Sequence, residues 1–215
     1  MKVDLDRVKD ILQLAKAGKV SPDDPWLAAR RDAYAELVGH PDPYYEAFYG
    51  IAQAFEPAFS VELGAYRANA AAHLAVGHPG GLVYTVDVHT IHPTDTEAKG
   101  LAIEAAGRYR NLEYINGWTW DAHVVFQIGA VAAYTPIDLL YIDAGHEYQD
   151  AMREWEIYSR MLADEALVIG DDIFDSVGAT VDMVRFWREI SDGCDNFLDI
   201  SGHIGIPMGY MRFVR

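Results

Sequence analysis

Apolar residues in this chain change their spacing near residue 58, and the change separates two kinds of structure. Ahead of that point the spacing is helical. Leu5, Val8, Leu12 and Ala15 fall on one face of a helix that Gly18 closes. Ser21-Pro-Asp-Asp24 opens a second helix running to about Gly39. A third follows Asp42-Pro43, carries Tyr44, Tyr45, Phe48, Tyr49 and Phe55, and stops before Pro57. Behind it, short apolar runs alternate with helical stretches. Phe59 to Leu63, Leu82 to Asp87, Leu112 to Ile115, Ile137 to Ile142 and Ala166 to Gly170 read as strands. Helices are expected from Arg67, from about Thr96 to Gly107 and around Val177 to Ile190. Strands that are apolar on both sides, alternating with helices, predict a parallel sheet covered on both faces. Asn196 to Ile200, a glycine-rich link from Gly202 to Gly209, and Tyr210 to Val214 then form an antiparallel hairpin. With no repeat and no low-complexity linker, one domain is expected over 1–215: a helical extension or lid over 1–57 and an α/β core over 58–215. The aromatics of the third helix either pack it on the sheet or line an acceptor site.

Chemistry collects where strands end. Glu62 and Gly64 close the first strand of the core, and a residue without Cβ there lets the backbone turn sharply and approach a ligand. Asp87 ends the second strand, where an acid can hold a ribose. Nicotinamide-binding folds pair such an acid with Gly-x-Gly-x-x-Gly in the first turn; this chain has Gly64-Ala-Tyr-Arg-Ala-Asn69 instead. After the third strand comes Asn116-Gly-Trp-Thr-Trp-Asp121, whose tryptophans either pack the next helix or stack on a flat base. Asp143 emerges from the fourth strand and Asp171-Asp172 from the fifth. If those strands are neighbours, three carboxylates meet at one rim. Such crowding calls for a cation, and oxygen-only ligands suit a hard ion such as Mg2+.

These motifs resemble the class I S-adenosylmethionine-dependent methyltransferases. Glu62 with Gly64 is similar to their first motif, and Asp87 matches their ribose-binding acid. Ile142-Asp-Ala-Gly-His-Glu-Tyr148, followed by Glu154, resembles the Ile-Asp-Gly-Asp-His-x-Tyr pattern of methyltransferase family 24, close to macrocin- and catechol-type O-methyltransferases. Gly170-Asp-Asp-Ile173 resembles its second metal-bearing strand end. Ala144-Gly145 depart from the family's Gly-Asp, and Ala68-Asn69 from its small glycines. The resemblance implies a Rossmann-like, mostly parallel seven-stranded sheet with helices on both faces. It implies S-adenosylmethionine across Glu62, Gly64, Ala65, Tyr66, Asn69, Asp87, Val88, His89, Gly117, Trp118, Trp120, Asp121 and Asp143. It also implies a divalent metal, Mg2+ foremost, on Asp143, Asp171 and Asp172. The implied reaction is O-methylation of a small hydroxylated acceptor such as a sugar, phenol or natural product. Asp143 and His146 are the catalytic candidates, with His146 either a general base or an anchor for its loop.

Composition narrows the alternatives. Lys and Arg number 17 against 33 Asp and Glu, and the resulting charge of -16 repels a phosphate backbone, so no nucleic-acid partner is expected. No apolar run is long enough to span a membrane. The one cysteine, Cys194, rules out an internal disulfide, and the acidic start Met-Lys-Val-Asp-Leu-Asp does not read as a signal peptide, so a cytoplasmic location is expected. Self-association is open at this level. Two further readings remain: a hydroxylase-like protein with iron on His89, His92, His146 and Asp143, and a protein that binds the cofactor without turnover.

Overall fold

The computed structural model describes residues 1–38, 44–90, 95–173, 181–199 and 208–215. Three helices come first: α1 (Leu5–Lys16), α2 (Pro25–Val38) and α3 (Tyr44–Phe55). The core then runs β1 (Phe59–Leu63), α4 (Asn69–Gly77), β2 (Leu82–Asp87), α5 (Asp95–Arg108), β3 (Leu112–Asn116), α6 (Ala122–Ala132), β4 (Ile137–Ile142), α7 (Tyr148–Tyr158) and β5 (Leu162–Gly170). It closes with α8 (Val181–Ser191), β6 (Asp195–Asp199) and β7 (Met208–Val214). The expected turn at Asp42-Pro43, His92, the start of the helix expected from Val177, and residues 202–207 of the glycine-rich link lie outside the described residues.

The strands form one seven-stranded sheet in the order β3-β2-β1-β4-β5-β7-β6, parallel from β3 through β5 and antiparallel where β7 meets β5 and β6. The order reverses between β1 and β4, so the connections that leave them go to opposite faces of the sheet and part over a crevice, the place where open α/β sheets take ligands. Period-two alternation sorts the core. Phe59, Val61, Leu63, Leu140, Ile142 and Val168 pack with α6, α7 and α8 on one face, whereas Leu139, Tyr141, Leu167 and Ile169 pack with α1 to α5 on the other. The first three helices are therefore part of a sheet-covering layer. Their starts follow local rules: Asp4 accepts from the amides of Asp6 and Arg7 at 3.0 and 3.3 Å, and Asp24 from those of Trp26 and Leu27 at 2.8 and 3.2 Å.

Two boundaries differ from the sequence reading for clear reasons. The helix expected at Arg67 begins at Asn69, because Tyr66 and Ala68 hold left-handed backbone with φ of 42° and 53°. β5 starts four residues ahead of Ala166. Its polar opening is carried by ladder pairing with β7, where Glu165 lies opposite Val214 and accepts from Arg212 Nε at 2.8 Å.

Candidate active site

The carboxyl ends of β1, β2, β4 and β5 are stitched together by backbone hydrogen bonds. The amides of Gly64 and Ala65 both donate to the Val86 carbonyl at 2.9 Å, Asp143 donates to Leu63 at 2.8 Å, and Asp171 to Ile142 at 3.1 Å. Gly64 sits at φ 96° against the Asp143 backbone, with no room for a Cβ. Two cavities open over this rim. One, of about 280 Å³, runs past Val86, Asp87, Val88, Gly117 and Trp118–Trp120 to the loop of Ala144–Glu147. The other, of about 590 Å³, is walled by Tyr44, Tyr45, Glu62, Ala65, Tyr66, Asn69 and Tyr141, with Asp171 and Asp172 at its end. Gly64, Asp87, Asp143, Ala144 and His146 line both.

Asp87 uses its carboxylate locally before any ligand arrives. Its Oδ2 accepts from the Tyr66 amide at 2.7 Å and its Oδ1 from the His89 amide at 2.8 Å, so it fixes two loops while keeping lone pairs for a hydroxyl. Glu62 is buried and accepts from the Thr85 hydroxyl; burial holds its carboxyl well above the usual range. Asn69 lines the second cavity and takes the Arg30 guanidinium on its Oδ1 at 2.7 Å.

His89 departs from expectation. Its Nδ1 meets the Tyr114 hydroxyl and its Nε2 the Tyr66 carbonyl, each at 2.7 Å, and it lines neither cavity. With both ring nitrogens engaged it braces the loop after β1. Asp121 also lies outside both linings; its Oδ2 accepts from the Trp118 amide at 3.0 Å, so it shapes the tryptophan turn from behind. Trp118 and Trp120 do line the smaller cavity, stacked on each other with ring centroids 5.2 Å apart and planes 12° apart.

The three aspartates converge as the strand order requires, but a side chain stands among them. His146 Nδ1 lies 2.9 Å from Asp172 Oδ2 and its Nε2 3.6 Å from Asp143 Oδ1. Those two partners push the imidazole up to about 11, which makes it a cation at neutral pH. A histidine in that state donates protons rather than accepting them, so the general-base role expected of His146 does not fit this arrangement. Tyr141 donates to Asp143 Oδ2 at 2.9 Å and lies 3.4 Å from Asp171 Oδ2, and its hydroxyl also meets that of Tyr44. Burial, then the neighbouring carboxylates, holds Asp171 well above the carboxylate range, and its Oδ1 is buried with no hydrogen-bond partner.

The chemistry of these donors suits a hard divalent ion: three carboxylates and one orphaned oxygen. With His146 between them, no group of three or more His, Cys, Asp or Glu side chains among the described residues is arranged to hold one. An ion would have to displace the imidazole.

Four residues take roles that the sequence did not give them. Tyr44 and Tyr141 carry the acid cluster into α3, Thr119 is buried beneath the tryptophans, and Glu154 lies fully buried behind them. The signal for Glu154 was present, since Ala151, Glu154 and Tyr158 form the inward stripe of α7, a stripe with an acid in its middle.

A family model described as a methyltransferase domain, family 24, matches residues 61–173. No curated protein matches the sequence. Among solved structures the chain is similar to cofactor-bound Rv0187 from MTB, with 19% identity and a TM-score of 0.63 over 100% of this chain and 99% of that one. It is similar to the O-methyltransferase TomG from Streptomyces achromogenes in complex with SAM, involved in tomaymycin synthesis, with 16% identity and a TM-score of 0.66 over 100% and 99%. An O-methyltransferase from Bacillus cereus in complex with SAH gives 17% identity and a TM-score of 0.57 over 100% and 93%. At these identities the likeness concerns the fold, and the expected Rossmann-like seven-stranded architecture is the one observed. No described helix is long and apolar enough to cross a membrane.

Proposed function

We propose, since the chain belongs to methyltransferase family 24 and is thereby a class I methyltransferase, that it moves the methyl group of S-adenosylmethionine to a hydroxyl oxygen of a small acceptor. The observation that carries this reading is the shared wall of the two cavities. A ligand with its base beside Trp118 and Trp120 and its ribose at Asp87 would bring its sulfonium to Gly64 and Asp143, where the second cavity begins. The acidic lining favours the positive sulfur. In the second cavity, Tyr44, Tyr45, Tyr66 and Tyr141 suit a flat or ring-shaped acceptor.

The acceptor oxygen attacks the methyl carbon in line as the carbon–sulfur bond breaks, its electrons leaving with sulfur. The hydroxyl proton passes to Asp143, whose carboxyl burial raises and so makes a stronger base than an exposed aspartate. His146 and Tyr141 hold that carboxylate in place. Positioning supplies much of the rate, since holding two reactants in near-attack geometry contributes roughly 7 to 11 kcal/mol. Were His146 displaced, Asp143, Asp171 and Asp172 would hold a divalent ion that would lower the acceptor hydroxyl's pKa, an alternative to proton transfer to Asp143.

The test is methyl transfer itself. Incubation with S-adenosylmethionine and a panel of sugars, phenols and hydroxylated natural products is expected to yield S-adenosylhomocysteine and a methyl ether. Formation of neither with any acceptor, despite cofactor binding, would leave a binding protein.

Two predictions arise from the site. Asp87→Ala should weaken S-adenosylhomocysteine binding by roughly ten- to a hundred-fold, the loss of one hydrogen bond to a charged group being about 1.5 to 3 kcal/mol. Unchanged affinity by calorimetry would remove Asp87 from the ribose. For the metal, Mg2+ should raise the melting temperature of the native protein and have little effect on Asp172→Ala. An equal rise in both would mean that these aspartates do not hold the ion.

A further inference from the structure

The turn bearing Trp118 and Trp120 has a support that the reaction as described does not use. Thr119, between the exposed Trp118 and the half-buried Trp120, points inward and is 4% exposed. Its hydroxyl donates to Glu154 Oε1 at 2.6 Å, and its carbonyl accepts from the Tyr158 hydroxyl at 2.6 Å. Glu154 and Tyr158 lie one turn apart on α7, so one helix grips both ends of one residue. Glu154 also belongs to the lining of the smaller cavity, together with Gly145 and His146 of the loop that leads into α7. It is fully buried, yet its Oε2 has no hydrogen-bond partner. A buried acid with one satisfied oxygen is a poor structural choice unless its position matters, because an apolar side chain there would avoid the desolvation.

We propose that Glu154 is a positioning residue for cofactor binding: it clamps the tryptophan turn to α7, and so sets the gap between the stacked tryptophans and the His146 loop into which the flat base enters. The inference rests on the methyltransferase reading for the identity of that base, but the clamp itself is a property of the ligand-free protein. Burial moves the Glu154 carboxyl up to about 7. Asp150 pushes in the same direction, while the Thr119 hydroxyl, the Gly145 amide and His146 favour the charged form. Tyr158 faces the same carboxyl from the next turn. The acid is therefore neutral below about pH 7 and gains a buried charge above it. Raised above its unfolded value, it favours folding most at low pH, and that contribution falls as pH rises from the ordinary glutamate range to about 7.

The experiment compares native protein, Glu154→Gln and Glu154→Leu across pH 6 to 9 by two readouts. One is the near-ultraviolet circular dichroism of the ligand-free protein, where parallel indoles give a coupled signal that Trp120→Phe identifies. The other is calorimetry with S-adenosylhomocysteine. Glutamine keeps the acceptor for Thr119 and cannot ionise; it should preserve the coupled signal and bind evenly at every pH. Native protein should keep the coupled signal and bind evenly across the range, because the Thr119 hydroxyl donates to the carboxylate as well as to the acid. Leucine should lose the coupled signal and bind about tenfold more weakly or worse throughout, the order expected for a turn released from a charge-assisted or buried hydrogen bond. A coupled signal equally strong in the leucine variant overturns the clamp. A native protein that binds no S-adenosylhomocysteine defeats the cofactor reading, and the dichroism still decides the clamp.

Discussion

Gly64→Ala should lower the melting temperature by about 10 °C and abolish binding in both cavities. At φ 96° an alanine is strained by roughly 1 to 2 kcal/mol. Its methyl group would also overlap the carbonyl carbon and oxygen of Asp143 and come within 2.8 Å of the Ala144 nitrogen. Those atoms are backbone at the end of a central strand, so no side chain can swing aside, and forced overpacking adds roughly 1 to 3 kcal/mol. The total, roughly 2 to 5 kcal/mol, corresponds to about 4 to 20 °C in a chain of this size. The functional loss exceeds the loss in stability, because any relief pushes Asp143 and Ala144 away from β1 and widens the wall that both cavities share. Thermal melts and calorimetry separate the two effects. A variant that melts like the native protein would show that the rim yields easily, and the tight apposition of β1 and β4 would lose its place in the mechanism.

Asp143→Asn should reduce the turnover number by two to four orders of magnitude while S-adenosylhomocysteine affinity changes little. General-base catalysis contributes on the order of 10² to 10⁴ in rate. An amide keeps the shape and an acceptor for the Tyr141 hydroxyl but cannot take the acceptor's proton. It also removes one of the two carboxylates that hold His146 as a cation, so the imidazole of the variant should titrate lower than in the native protein. Nuclear magnetic resonance of the His146 ring reports that change without any substrate. Normal turnover together with a shifted histidine would locate the base elsewhere and leave Asp143 a holder of charge.

The sheet was readable because its strands are apolar on both faces and leave little ambiguity about period; β4 begins and ends where Ile137 and Ile142 suggest. The position of the site was readable for a related reason, since parallel strands deliver their last residues to one edge, and Gly64, Asp87, Asp143 and Asp171 are all last or next residues. What the chain order hid was how side chains at that edge spend their hydrogen bonds. His89 looked like a ligand because it follows Asp87, but its left-handed backbone, φ 47°, turns the ring back onto Tyr114 and Tyr66. His146 looked like a base because its two carboxylate neighbours, Asp143 and Asp172, follow different strands far apart in sequence and their joint effect exists only in the fold. Glu154 was visible as part of a motif, but its partner Thr119 lies on another strand's turn.

The meeting of Tyr44 with Tyr141 bears on how a chain of this design can change its substrate. Cofactor walls come from strand-end loops whose backbones are bonded to one another, so a change in one disturbs its neighbours. The acceptor side owes Tyr44 and Tyr45 to a helix ahead of the sheet, joined to the rim at the acid cluster by that phenol contact. Divergence in acceptor choice is therefore expected to accumulate in α3 with the rest of the chain held nearly constant. Exchanging Tyr45 for smaller or larger apolar residues should reorder a panel of acceptors while S-adenosylhomocysteine affinity stays level; a parallel loss of both would mean that donor and acceptor recognition are not separable in this protein.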